Sequence, residues 1–156
     1  MRAMIYERAG SQRKRCILIS GMLLLTLNAL QAQANLPEPI RDGLEALSRG
    51  GYALALEHWT RNWTSADDEA KRQTLDSAFA ELVVLADQPI GYEIVRVAGV
   101  SPRLVRVYAL VLHRRQPVYV MLVGYRAEAA WSVTNITFHT VAERVFPVDL
   151  LVTERP

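Results

Sequence analysis

The sequence predicts an α+β fold in which N-terminal helices pack on a curved four-stranded antiparallel meander. Three observations carry that expectation. Apolar residues recur at helical spacing between residues 36 and 87. From Gly91 to His139 four segments rich in Val, Ile, Leu, Tyr and Thr follow one another. The last three are separated by Arg114 to Pro117 and Ala127 to Ala130, gaps short enough only for hairpins. Helices first and sequential strands afterwards give helices on one face of an antiparallel sheet.

Residues 1–34 read as a secretory signal. Arg13-Lys14-Arg15 closes a basic stretch, Cys16 to Leu30 is apolar, and Ala32-Gln33-Ala34 offers a small-x-small cleavage site before Asn35. The apolar run is interrupted by Ser20, Gly21, Thr26 and Asn28 and falls short of the roughly 20 residues a spanning helix needs. Cleavage near Ala34 is therefore expected, giving a periplasmic or secreted bacterial protein. Membrane attachment is expected only if this segment is retained uncleaved as an anchor. The rest of the chain, residues 35–156, has the size of a single domain with one core.

Charge and cysteine content exclude several classes. Of the 18 Lys+Arg and 16 Asp+Glu, five bases and one acid precede Asn35, leaving 13 against 15. A net charge of −2 is no footprint for nucleic acid, so none is expected as a partner. Cys16 is the only cysteine, so the mature chain has no disulfide and no thiol chemistry.

Along the chain, Pro37 and Pro39 precede a first helix with Ile40, Leu44 and Leu47 on one face, stopped by Gly50-Gly51. A second runs from Tyr52 to about Trp63 with Tyr52, Leu56 and Trp59 aligned. Ser65-Ala-Asp-Asp68 supplies capping oxygens for a third and longest helix, whose Leu75, Phe79, Leu82 and Val83 form a stripe and which ends at Gln88-Pro89. The strands are expected at 91–98, 103–113, 118–126 and 131–139. In the third, Val118, Val120 and Leu122 occupy one face and Tyr119, Met121, Val123 and Tyr125 the other, so both faces are apolar. Such a sheet either curls around a cavity or meets a partner. The segment after Pro147 is apolar enough to add a short strand or to lie along the sheet edge.

Gly50-Gly-Tyr-Ala53, the long helix, Gly91-Tyr-Glu93, Ser101-Pro-Arg-Leu104, Gly124-Tyr-Arg126 and Trp131-Ser-Val-Thr-Asn-Ile-Thr-Phe138 together resemble small exported bacterial proteins of unknown function. Those in turn resemble the cystatin-like superfamily that contains the nuclear transport factor 2-like folds. Over residues 40–147 the resemblance implies a curved sheet wrapped round a long helix, a cystatin-like roll. It implies no single activity, since such relatives include ketosteroid isomerases, polyketide cyclases and dimerisation modules.

Candidate chemistry is sparse. His58, His113 and His139 form no metal-ligand spacing, and no glycine-rich phosphate loop or Ser-His-Asp order is present, so no metal, cofactor or catalytic residue is assigned. Asp76 on the long helix invites comparison with a cavity acid, but Lys71, Arg72 and Gln73 mark a solvated face. Arg114-Arg115 reads as exposed turn charge. Tyr108, Tyr119, Tyr125, Trp131 and Phe138 lie on adjacent strands; they are the candidate pocket or sheet-surface residues. Asn62-Trp-Thr64 and Asn135-Ile-Thr137 match a glycosylation pattern, which a bacterial chain gives no use. The expected function is a non-catalytic exported domain that binds a small apolar ligand or a protein through its sheet, most simply as a homodimer. The alternative is a cone-pocket isomerase or cyclase.

Overall fold

A computed structural model of the chain describes residues 36–151, so the secretory segment expected over 1–34 lies outside the described residues. Helices pack against a four-stranded antiparallel sheet, an α+β arrangement. Helix α1 spans Glu38–Thr60, with Pro37 at its N-cap and a proline in its first turn, where a missing N–H costs nothing. At Gly51 the backbone leaves helical geometry with φ 78 and ψ −166. The two expected segments are thus two arms of one element joined at a kink, because a residue without Cβ can take that conformation with one residue and no loop. The second arm ends at Thr60 rather than near Trp63.

Helix α2 spans Ala66–Ala86. Ser65 caps it: Asp68 N donates to Ser65 Oγ at 3.1 Å, and the Asp68 carboxylate accepts from Ser65 N at 3.1 Å. Hydrogen bonding of the carboxylate with the Ser65 side chain, and next with the Ser65 backbone N–H, holds the Asp68 carboxyl below its ordinary range. The helix ends at Asp87, which takes φ 78 and returns its N–H to the Val83 carbonyl at 2.9 Å.

The strands are β1 (Pro89–Ser101), β2 (Leu104–His113), β3 (Val118–Arg126) and β4 (Trp131–His139), hydrogen-bonded in that order. β1 is longer at both ends than expected, and its register with β2 shifts at three places along its length. Pairing of β2 with β3 sets Val107 opposite Leu122, Ala109 opposite Val120 and Val111 opposite Val118. All six are fully buried against the helices. The parity left open by the apolar pattern of β3 is thereby decided: Val118, Val120 and Leu122 point inward. They meet Ile40, Leu44 and Leu47 from the first arm of α1, Tyr52, Leu56 and Trp59 from the second, and Phe79 and Leu82 from α2. Each such side chain contributes about 1.5–3 kcal/mol by leaving water. At Gly124 the start of α1 comes close to the sheet, since a Cβ there would lie 3.2 Å from Ile40 and 3.3 Å from Pro37, as well as 3.0 Å from Val105 of β2.

The outer face is covered in part by the chain itself. After β4 a 3-10 turn, Ala142–Arg144, leads into helix α3, Val148–Leu151. Between them Phe146 sets its ring edge-on to Tyr108 (5.7 Å, 85°) and to Tyr119 (5.2 Å, 84°). Val145 is buried alongside, and Met121, Leu150 and Leu151 complete this second cluster. An ion pair between Arg96 of β1 and Asp149 of α3 pins the segment across the sheet. In the described part of the tail, up to Leu151, the extra strand or edge-hugging path expected from sequence is thus replaced by a strap over the outer face, where Phe146 packs edge-on against buried Tyr108 and half-buried Tyr119.

At the other end of the sheet the start of β4 is bridged from the helix side. Asn62 Nδ2 donates to the Trp131 carbonyl at 3.2 Å and Trp63 Nε1 to the Val133 carbonyl at 2.6 Å. Among the described residues no helix is long and apolar enough to cross a membrane.

Candidate functional site

The five aromatics singled out from sequence fall on both sides of the sheet. Tyr108, Tyr119 and Tyr125 belong to the outer face, as the pairings Tyr108 with Met121 and Leu104 with Tyr125 require. Tyr108 is buried by Phe146, Tyr119 is half-buried beside it, and Tyr125 stands 42% exposed. Trp131 and Phe138 instead pack against the main core. Trp131 also carries the Arg126 guanidinium 5.3 Å from its ring centre, where a cation is attracted to the π face. The set therefore does not converge on one pocket. Strand alternation, set by which β3 residue each one faces, separates it.

On the inner side the space that a curved sheet would enclose is occupied by stacked rings. Phe79 lies between Tyr52 and Phe138, with centroids 4.4 Å away on either side. Trp59 tilts against Phe79 at 6.4 Å. Helix residues thus fill the volume between helices and sheet with aromatic carbon.

One polar connection passes through this packing. The Tyr52 hydroxyl is 2.9 Å from His113 Nε2, and His113 Nδ1 is 2.7 Å from the backbone carbonyl of Asp87. A carbonyl only accepts, so Nδ1 carries the proton and donates to it. In the tautomer with Nδ1 protonated, Nε2 accepts from the Tyr52 hydroxyl. Burial pushes the Tyr52 hydroxyl well above the ordinary tyrosine range, since the phenolate would lack solvation. The chain ties the second arm of α1, the end of β2 and the left-handed residue that terminates α2. No motif in the sequence assigns these residues a joint role. Alternation was the available signal, because Val105, Val107, Ala109 and Val111 point inward and His113 continues their row.

Of the other sequence candidates, His139 and Arg115 have local partners. His139 Nδ1 accepts from Val141 N at 2.9 Å, turning the chain out of β4. His58 is half-exposed. Arg115 donates to the Val84 carbonyl at 3.2 Å, capping the end of α2, whose last turn holds no basic residue. Asp76 is exposed on α2, as its neighbours implied, and borders a cleft of about 330 Å³ between α1 and α2. A second cleft, about 450 Å³, lies between α2 and β4 with Trp63, Leu75 and Ile136 in its wall. Among the described residues no three His, Cys, Asp or Glu side chains are grouped to hold a metal.

Comparison with protein-family models, with curated proteins and with solved structures gives no match to this chain.

Proposed function

We propose that this chain is an exported, non-catalytic binding domain with a cystatin-like roll, holding a protein partner, most simply a second copy of itself, on the uncovered part of its outer sheet face. One observation carries this reading: the apolar surface is used unequally on the two sides. The helix side is filled by Tyr52, Trp59, Phe79 and Phe138, which occupy the place where an isomerase or cyclase of this architecture would hold its substrate. On the outer face the strap shields Tyr108 but not the far end, where Leu104 and Tyr125 pair across strands and Val123 follows on β3. Val100 at the end of β1 adds a side chain 54% exposed. A fully solvated face would carry Thr, Lys and Glu throughout, whereas here the polar exposed neighbours of Val123 are Arg106 on β2 and Asn135 on β4. Support for export comes from the basic, apolar and small-residue order of residues 1–34.

Light scattering at tens of micromolar tests the assembly. A dimeric parent and a monomeric, folded Val123→Glu variant are the expected pair. A monomeric parent that also retains no protein from its own compartment overturns the reading.

A further inference from the structure

On the reading that a second copy covers the outer face, we infer that the two copies overlap by their open ends, and that Arg106 of each pairs with Glu128 of the other across a two-fold axis near Leu104 and Tyr125. Arg106 rises from the uncovered patch itself. It stands opposite Ala98 on β1 and Val123 on β3, with Leu104 next along the same face of β2. It is exposed and makes no hydrogen bond or ion pair among the described residues. Asp149 of the strap is already paired with Arg96. A partner that covers Val123 and Leu104 also takes water from this guanidinium, and a cation deprived of water needs a carboxylate in its place. The planar fork of arginine is suited to accept one in a fixed geometry.

The strap decides which carboxylate that is. Phe146 and Val145 close the face at Tyr108 and Tyr119, so two copies have only the Leu104–Tyr125 end through which to meet. With a two-fold axis there, what lies on the strap side in one copy lies against what lies beyond Tyr125 in the other. Arg106 is on the strap side, two residues from Leu104. Beyond Tyr125 is the hairpin of residues 127–130, where Glu128 is the acid. At about 3.3 Å per residue the two stand about 7 Å and at most about 10 Å from the axis, a mismatch that one long side chain spans. Glu128 is exposed and likewise makes no hydrogen bond or ion pair among the described residues. The cations beside it are turned to carbonyls, Arg103 to Ala127 at 3.4 Å and Arg126 to Pro102 at 3.0 Å.

Sedimentation equilibrium of the purified protein with reversed charges tests the pairing. Arg106→Glu and Glu128→Arg should each weaken the dimer by about tenfold or more, and the double variant carrying both should return to within about threefold of the parent. All three should melt near the parent, since both positions are exposed. A dimeric parent whose affinity neither single variant changes, or a double variant no tighter than the singles, overturns the pairing and leaves the outer face as the interface. A monomeric parent overturns the reading of that face, and the pairing with it.

Discussion

The indole of Trp59 lies directly over Gly43, so closely that a Cβ on Gly43 would sit 2.0 Å from Trp59 Nε1. One arm of α1 therefore folds back across the other only because residue 43 has no side chain. The indole N–H reaches the Ile40 carbonyl at 3.5 Å over that bare backbone. Gly43→Ala is expected to destabilise the domain by about 3 kcal/mol or more, since Trp59 is fully buried and cannot retreat. Urea unfolding monitored by Trp fluorescence measures this; a variant within about 0.5 kcal/mol of the parent, the scatter of surface changes, would contradict the packing.

Adjacent residues of β3 should respond oppositely to the same substitution. Leu122→Glu places a carboxylate between fully buried Val107 and buried Ile136 and should leave the protein unfolded by far-UV circular dichroism. Val123→Glu, opposite exposed Arg106, should fold with a melting profile near the parent's. If both variants unfold, the outer face is buried more completely than the strap alone explains.

Tyr52→Phe removes the donor to His113 Nε2 and leaves a buried acceptor unpaired, at a cost of about 1–3 kcal/mol near neutral pH. Its effect on alkaline stability has the opposite sense. The folded state raises the Tyr52 pKa above the ordinary 10.0, so this group's stability is fully present below pH 10.0. As pH rises further the unfolded chain loses the proton while the folded chain keeps it, and stability falls. The variant should therefore lose less stability than the parent between neutral pH and pH values above 10.0. Parallel alkaline limbs in urea titrations of the two proteins would show that Tyr52 is not the group retaining its proton.

Phe146→Ala should weaken the strap without dissolving the core, because Phe146 packs in the smaller outer cluster. A loss of about 3 kcal/mol is expected from the truncated ring, together with increased binding of an apolar dye as Tyr108 and Tyr119 become exposed. Unchanged dye binding with unchanged stability would mean that the strap is ornamental.

The elements legible in the sequence were those whose pattern is local. Helical recurrence of Ile40, Leu44 and Leu47, the Ser65 to Asp68 cap, and the four-residue gaps that force hairpins all correspond to observed features. Features that depend on distant residues were not legible. The strap rests on Phe146 meeting Tyr108 and Tyr119, a contact no periodicity encodes. The five aromatics could be placed on adjacent strands from sequence, but not on a common or opposite face, because that needs the register between strands. The bulge between Val123 and Gly124 shows why register cannot be counted from chain length alone. The Tyr52–His113 connection and the helix cleft depend equally on tertiary placement: residues 61 positions apart close the one, and short side chains on two helices leave the other open.

The two rims of the sheet bear on how such a protein remains dispersed in a crowded compartment. A bare strand rim is a template on which further chains can stack, and unlimited stacking is the route to fibres. Here β1 is distorted by its three irregular steps, and two carbonyls at the start of β4 are already engaged by Asn62 and Trp63. Lateral growth is discouraged at both ends, which is consistent with the proposed pairing on the flat of the sheet, where a two-fold pair closes on itself and stops.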